Sequence, residues 1–415
     1  MKTGALALLL TSLASAYPFD GFPRTRIGRL LGYRLAYEGK IPRTVNLPPG
    51  ALFGQDQVRL RLQGVADSFD LNALTPRDPY LQQGIQGLFA GRDPSYNLAM
   101  LDISDPAKPR YAALREDVRR IPGSVGKLLV ATGMFGAVKR AFPDPAAREK
   151  FLRETVVAAS NFVHTDSKTV PFFKEGDPAI RNRRLEIGDA FNLYEWLDHM
   201  LSQSSNAAAA ETWRQLMLLY RLGPKYTPNQ ADATAFFANT PKKELAALSL
   251  ESIESAMTES GINTGNLRIG TFFTRNGERA VPGTASYATP LELLRWLVKL
   301  EQGKLVDPWS SLELKRLLYF SRPRYRYSSS PALSKAAVYF KSGSLFECVP
   351  EEGYQCVQYK GNKTNLMHSV AIVESGTRVY LVALMSNVLR LNSAVEHQTI
   401  ATMIERLVQA RPAGS

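Results

Sequence analysis

Ser124 and Lys127 stand three residues apart in Ile121-Pro122-Gly123-Ser124-Val125-Gly126-Lys127, just ahead of the apolar run Leu128 to Val138. Pro122 and Gly123 end an extended segment and good helix formers follow, so the pattern predicts a helix with Ser124 in its first turn. Positions i and i+3 share a helix face, which brings the Lys127 amine to the Ser124 hydroxyl. A lysine that is desolvated or crowded by other cations gives up its proton more readily and can serve a serine nucleophile as its base. The helix N-terminus also favours negative charge developing there. Taken alone, the pair more often marks a serine cap beside a surface lysine.

Two further constellations follow in the chain. Ser204-Ser205-Asn206 falls in a polar loop before a helix start, and Lys341-Ser342-Gly343 ends an apparent strand, Ala337-Val338-Tyr339-Phe340. Ser-x-x-Lys, Ser-x-Asn and Lys-Ser/Thr-Gly in this order resemble the penicillin-recognising serine enzymes, which include class A β-lactamases and DD-peptidases. From Tyr96 onward the chain is similar to the class A branch. The resemblance implies roles for particular residues. Ser124 is the nucleophile and Lys127 its base. Ser204 relays a proton between Lys127, Lys341 and the leaving group, whose nitrogen must be protonated as its bond breaks. Asn206 positions the substrate. Lys341 holds the substrate carboxylate and raises the local positive potential, Ser342 assists, and Gly343 leaves room for substrate. The backbone N–H groups of Ser124 and Ser344 form the oxyanion hole. Arg378, early in a later strand, is a weaker candidate for a second carboxylate contact. No metal or organic cofactor is implied.

One part of the family pattern is missing. The β-lactamases of the family carry a Glu-x-x-Leu-Asn loop that activates the deacylating water, and it belongs between Gly223 and Arg279. Glu244-Leu245-Ala246-Ala247-Leu248 is the nearest match, lacks the Asn and reads as helix, as do Glu251 and Glu254. The substrate class therefore stays open between a β-lactam and a peptidoglycan-type peptide, with a non-catalytic wall-binding protein as a third reading.

The elements that must position these residues follow from periodicity. Tyr80 to Phe89 fits a helix with Leu81, Ile85, Leu88 and Phe89 on one face. Tyr96 to Ile103 and Arg110 to Leu114 read as a hairpin around Ser104-Asp105-Pro106. Helices are expected at Leu128 to Ala141, Ala146 to Ser160, Ile187 to Leu201 and Ala207 to Leu222, giving a helical subdomain over about 128–280. Thr289-Pro290 and Asp307-Pro308 are helix entries, with a cap followed by Pro at the first position. Strands are expected at Ala337 to Lys341, Cys356 to Tyr359, Asn365 to Val373 and Thr377 to Ser386, then an amphipathic helix from Val395 to Gln409. The whole is an α+β, β-lactamase/transpeptidase-like fold, with an antiparallel sheet, terminal helices packed on it, an all-helical subdomain, and a catalytic domain over 76–411.

Residues 17–75 form an N-terminal extension without a motif, either an accessory module or an arm over the main domain. Val58-Arg59-Leu60-Arg61-Leu62 alternates with period two and reads as a half-buried strand. Before it, Lys2, the apolar run Ala5 to Leu10 and the small-residue site Ala14-Ser15-Ala16 form a signal-peptide layout with cleavage after Ala16. No later stretch is long and apolar enough to span a membrane, so the expected location is periplasmic or extracellular. Cys348 and Cys356 flank a short polar turn and suit a hairpin disulfide in an oxidising compartment, with two free thiols as the alternative.

With 415 residues, 45% hydrophobic and 21% charged, the chain has the composition of an ordinary globular protein rather than a disordered one. Its formal charge of +13 implies attraction to anionic surfaces, here cell-envelope polymers, since no nucleic-acid motif accompanies the charge. The densest basic runs are Arg181-Asn182-Arg183-Arg184 and Arg322-Pro323-Arg324-Tyr325-Arg326-Tyr327. They read as solvated loops or as docking sites for an anionic polymer or substrate carboxylate. His164, His199, His368 and His397 are scattered and none pairs with a cysteine at metal-ligand spacing.

Overall fold

Period-two alternation divides each strand of the central sheet between two cores. In a computed structural model that describes residues 19–42, 46–164, 166–320 and 324–410, five strands form one antiparallel sheet. They are β1 (Asn97–Asp102), β2 (Arg110–Leu114), β3 (Ala337–Glu347), β4 (Thr364–Ser375) and β5 (Arg378–Asn387), in the spatial order β2-β1-β5-β4-β3. Leu98, Met100, Val338, Phe340, Val382 and Leu384 point to one face, where they meet Leu81, Ile85 and Leu88 of the helix Pro79–Phe89 and Ile400, Ile404 and Val408 of the helix Ala394–Gln409. Ala99, Leu101, Tyr339, Ile372, Leu381 and Ala383 point to the other face and join the core of the remaining helices. The antiparallel sheet and the terminal helices packed on it are those expected, and they make a β-lactamase/transpeptidase-like α+β fold.

Local chemistry sets the helix starts. Asp78, Asp144, Thr289 and Asp307 each accept a backbone N–H three residues on and each is followed by Pro, the pairing of a polar cap with a residue that has no N–H to lose. The helical part includes Lys127–Ala141, Leu193–Leu201, Asn206–Leu222 and Lys242–Glu259. It is not wholly helical. The expected helix from Ala146 ends at Glu154, and that from Ile187 begins at Leu193, because Val156–Ala158 pairs with Ala190–Asn192 in a short antiparallel ribbon. A second ribbon pairs Val170–Phe172 with Arg181–Arg183.

Three other expectations are corrected. Val58 and Leu62 are buried as the alternation implies, but they form no strand. The Leu62 N–H donates instead to the Glu301 carbonyl at the end of the helix Pro290–Glu301. Cys356 to Tyr359 is loop, not strand. Ala337 to Lys341 is only the first half of β3, which runs on to Glu347, so Lys341-Ser342-Gly343 lies inside an edge strand and not before a turn. The Cys348–Cys356 disulfide does form, with Cα atoms 6.2 Å apart, and ties down the loop after β3.

Residues of the extension enter the main core, since Ile27, Leu30, Val58, Leu62 and Leu71 belong to the same buried cluster as the helical part. A buried ion pair fixes it further. Arg29 donates to both carboxylate oxygens of Asp198 at 2.6 Å, and to the Phe320 carbonyl at 2.9 Å. No helix among the described residues is long and apolar enough to cross a membrane. The signal layout of residues 1–16, together with Arg322 and Pro323, lies outside the described residues.

Candidate active site

Gly123 to Gly126 form a tight 3-10 turn that runs directly into the helix Lys127–Ala141. The turn presses against β3 at two glycines. Gly123 has φ 53°, and a Cβ there would come within 3.1 Å of the Ser344 carbonyl and 3.2 Å of its nitrogen. A Cβ on Gly343 would lie 2.6 Å from the Pro122 carbonyl and 3.1 Å from the Ser124 nitrogen. Only bare backbone fits on both sides, and this close approach makes neighbours of the Ser124 and Ser344 backbone nitrogens. Behind it His368, paired with Gly343 across β4 and β3, meets the Ile121 carbonyl at 2.9 Å. Burial pushes His368 down to about 4, so the ring is neutral at pH 7 and its Nε2–H donates to that carbonyl.

The hydrogen bonds of Lys127 define its chemistry. Fully buried, its Nζ lies 2.7 Å from the Ser204 carbonyl, 2.7 Å from Asn206 Oδ1, 3.1 Å from Ser124 Oγ and 3.4 Å from Ser204 Oγ. The two shortest contacts are to oxygens that can only accept. A neutral amine spends its two N–H donors on them and turns its lone pair to the hydroxyls. Burial drives the Lys127 pKa well down, and the positive charges of Lys168 and Lys341 add to the effect while Asp166 opposes it.

Ser204 sits between the two lysines. Lys341 Nζ donates to its Oγ at 2.8 Å and to the Ser342 carbonyl at 2.9 Å. Burial, then Lys168 and Arg326, depress Lys341 as well. Ser204 has φ 56°, a left-handed backbone that costs about 1–3 kcal/mol for a residue with a side chain and that tends to gather at functional sites. The strained loop is held at the start of the helix Asn206–Leu222 by Asp166. One oxygen of its carboxylate, Oδ2, accepts from Ser205 Oγ at 2.8 Å, Asn206 N at 2.6 Å and Ala207 N at 2.9 Å.

The structure thus brings Ser124, Lys127, Ser204, Asn206, Lys341, Ser342, Gly343 and Ser344 to one place. Ser124 and Ser344 stand where two clefts meet. The first, of about 430 Å³, is lined by Ser204, Ser342, Lys168 and Arg326 among others. The second, of about 540 Å³, is lined by Asn206, Phe272, Phe273, Leu345 and Glu278. Arg378 is not part of this arrangement, since it pairs with Ser375 at the hairpin end of β4 and β5, away from Gly343.

Sequence reasoning missed Asp166 and Lys168, which reach the site from an irregular loop bearing no motif. It held Arg326 only as part of a basic run. Arg326 donates to the Gly343 carbonyl at 2.7 Å and to Ser344 Oγ at 3.0 Å, and its guanidinium lies 5.4 Å from the centre of the Tyr359 ring. The glutamates weighed for a water-activating role are elsewhere: Glu244 is exposed, Glu251 accepts from Tyr220 and Glu254 pairs with Arg268. Phe273 faces Lys127 instead, with the ammonium position 4.9 Å from the ring centre.

No family model matches the chain, and no curated protein matches it. Solved structures do. The structure of PBP-A is 13% identical, with a TM-score of 0.50 over 82% of this chain and 100% of that one. A variant of PBP-A, described as an acyl-enzyme complex with penicillin G, aligns with the same identity and TM-score. A β-lactamase from Sphaerobacter thermophilus is also 13% identical, with a TM-score of 0.50 over 81% of this chain and 98% of that one. Together they give the chain the fold of serine β-lactamases and penicillin-binding proteins.

Proposed function

We propose that the chain is an exported active-site serine enzyme, acylated on Ser124 by an amide-type carbonyl. Its substrates are peptidoglycan-type peptides, and β-lactams remain on it as long-lived acyl-enzymes. The observation that carries acylation is the placement of a buried Lys127 whose donors are occupied by the Ser204 carbonyl and Asn206, leaving its lone pair for Ser124 at 3.1 Å.

The steps follow from that arrangement. Lys127 takes the Ser124 proton as the Oγ–C bond forms, and the backbone N–H groups of Ser124 and Ser344 hold the oxyanion. The C–N bond then breaks as the Ser204 hydroxyl gives its proton to the leaving nitrogen and regains one from the Lys127 ammonium. The net result is one proton moved from Ser124 to the amine, with Ser204 restored and Lys127 neutral again. Because Ser204 lines the first cleft and Asn206 the second, the leaving group departs into the first and the acyl group lies against Asn206 in the second. Arg326 and Lys341 on the sheet side suit the carboxylate of the leaving group. Water or an amine then resolves the acyl-enzyme.

Phe273 favours the peptidase reading over rapid β-lactam hydrolysis, because the group facing Lys127 is a ring that cannot activate water. The signal layout of residues 1–16 and the Cys348–Cys356 disulfide support export, and the charge of +13 supports docking on an anionic envelope polymer.

Intact-protein mass followed over time with a penicillin tests this reading. A lasting adduct that is absent from Ser124→Ala is the expected result. A transient adduct with drug consumption would mean a β-lactamase. If no adduct forms and no peptide is cleaved, the chain is a wall-binding protein on this fold.

A further inference from the structure

Lys168 is not part of any motif and has no role in the steps above, yet it lines the first cleft. Its backbone N–H donates to Asp166 Oδ1 at 3.1 Å, but its ammonium makes no hydrogen bond or ion pair among the described residues. Asp166 does not pair with it, since Oδ2 of that carboxylate is committed to three donors at the start of the helix Asn206–Leu222. Across the cleft, Arg326 uses part of its fork on the Gly343 carbonyl and Ser344 Oγ, and no carboxylate pairs with it among the described residues. Burial chiefly brings Lys168 down to about 8; the nearby Asp166 carboxylate opposes this and the Arg326 charge adds to it. Among the described residues no acidic side chain lines this cleft, and its other polar side chains, Gln203, Asn392 and Gln398 among them, are neutral.

Two positive heads thus line one cleft from separate parts of the fold, Lys168 from the loop that carries Asp166 and Arg326 from the turn Arg326–Ser329 that bonds to β3. On the sheet side Ser342 and Arg326 line the cleft and suit one carboxylate. Lys168 on the opposite wall remains for a second anion. We propose that the first cleft is a subsite for a leaving group with two carboxylates, an acidic amino acid at the end of the peptide, whose main-chain carboxylate rests on the Arg326 side and whose side-chain carboxylate reaches Lys168. The inference rests on the acylation reading only for which cleft receives the leaving group. Charge and size both fit, because a cleft of about 430 Å³ takes one amino-acid residue with room for water. A desolvated cation gains more from a carboxylate than an exposed one does.

The test uses the full chain carrying Ser124→Ala, so that binding is read without turnover. N-acetyl-D-alanyl-D-glutamate is compared by calorimetry with N-acetyl-D-alanyl-D-glutamine, which has the same shape and one carboxylate fewer. The expected preference for the glutamate peptide is about tenfold, the scale of one charge-assisted hydrogen bond. Lys168→Gln brings the ratio close to one, and Lys168→Arg, which keeps the charge, preserves it. Equal binding of the two peptides, or a preference that survives Lys168→Gln, overturns the subsite. Penicillin labelling of the Ser124 protein is read in parallel. A label without a preference removes the subsite and leaves acylation standing. A preference without a label, and without cleavage of the peptide by the Ser124 protein, supports the subsite and removes acylation.

Discussion

Lys127 carries the largest predicted effects because, among the described residues, no other base is bonded to Ser124 Oγ. Replacing Lys127 by Ala lowers the rate of Ser124 acylation by about 10²–10⁴, the range of a positioned general base, and a stopped-flow rate within threefold of the parent would remove Lys127 from that role. The base must be neutral to act. Its pKa lies well below the usual 10.5, so acylation rises with pH and levels off before that value. Lys168 contributes to the depression, next after burial, and Lys341 follows. Lys168→Gln therefore moves the rising limb of the pH profile to higher pH, a shift measurable with a chromogenic ester and not expected of a purely structural substitution. Phe273→Glu places a carboxylate beside the amine. The penicilloyl adduct should then disappear at least about tenfold faster, and an unchanged adduct lifetime would show that water activation is not what Phe273 withholds.

At the scale of elements, the site is a contact between one edge strand and one helix start. β3 and the turn Gly123–Gly126 meet at Gly343, where a Cβ would strike backbone and not a movable side chain. Gly343→Ala should thus cost about 1–3 kcal/mol of stability, as overpacking does, and should lower acylation with it because Ser124 and Ser344 are forced apart. Melting temperature and labelling rate measured on the same sample check both. The loop after β3 is a second such element. It carries Tyr359, which lines the first cleft beside Arg326, and it is stapled by Cys348–Cys356. Opening so short a loop by substituting both cysteines with Ser removes at most about 2–3 kcal/mol of chain-entropy stabilisation. The expected signature is a modest fall in melting temperature with a rise in KM.

Across the whole molecule, the extension and the rest of the fold are locked by charge as well as by apolar packing. Arg29 and Asp198 are fully buried and bonded at both carboxylate oxygens. Arg29→Ala leaves Asp198 buried without its partner and should cost about 3–5 kcal/mol. A denaturant midpoint unchanged by that substitution would mean that the extension is only loosely held. The net charge of +13 acts at the same scale. Retention on an anionic wall polymer should weaken steeply between low and physiological salt, as the Debye length falls to about 8 Å.

The order of the three motifs, the helix entries at Asp-Pro and Thr-Pro, and the alternation in Leu98 to Leu101 and Ala337 to Phe340 were legible in the sequence, because capping and periodicity are local. They determined the fold class and which of the serines and lysines belong together. The extent of β3, the coil at Val58 to Leu62 and the early start of the ribbon at Ala190 were not legible, since a strand exists only where another strand pairs with it. The same limit hid part of the site. Asp166, Lys168, Phe273 and Arg326 stand in no fixed spacing to Ser124 in sequence, and only tertiary packing brings them to it. The pairing of Ser124 with Lys127 was therefore written in the chain, while the charge of the cleft and the ring facing Lys127 were decided by the three-dimensional fold, because desolvation and Coulomb interaction depend on distance in space and not on position along the chain.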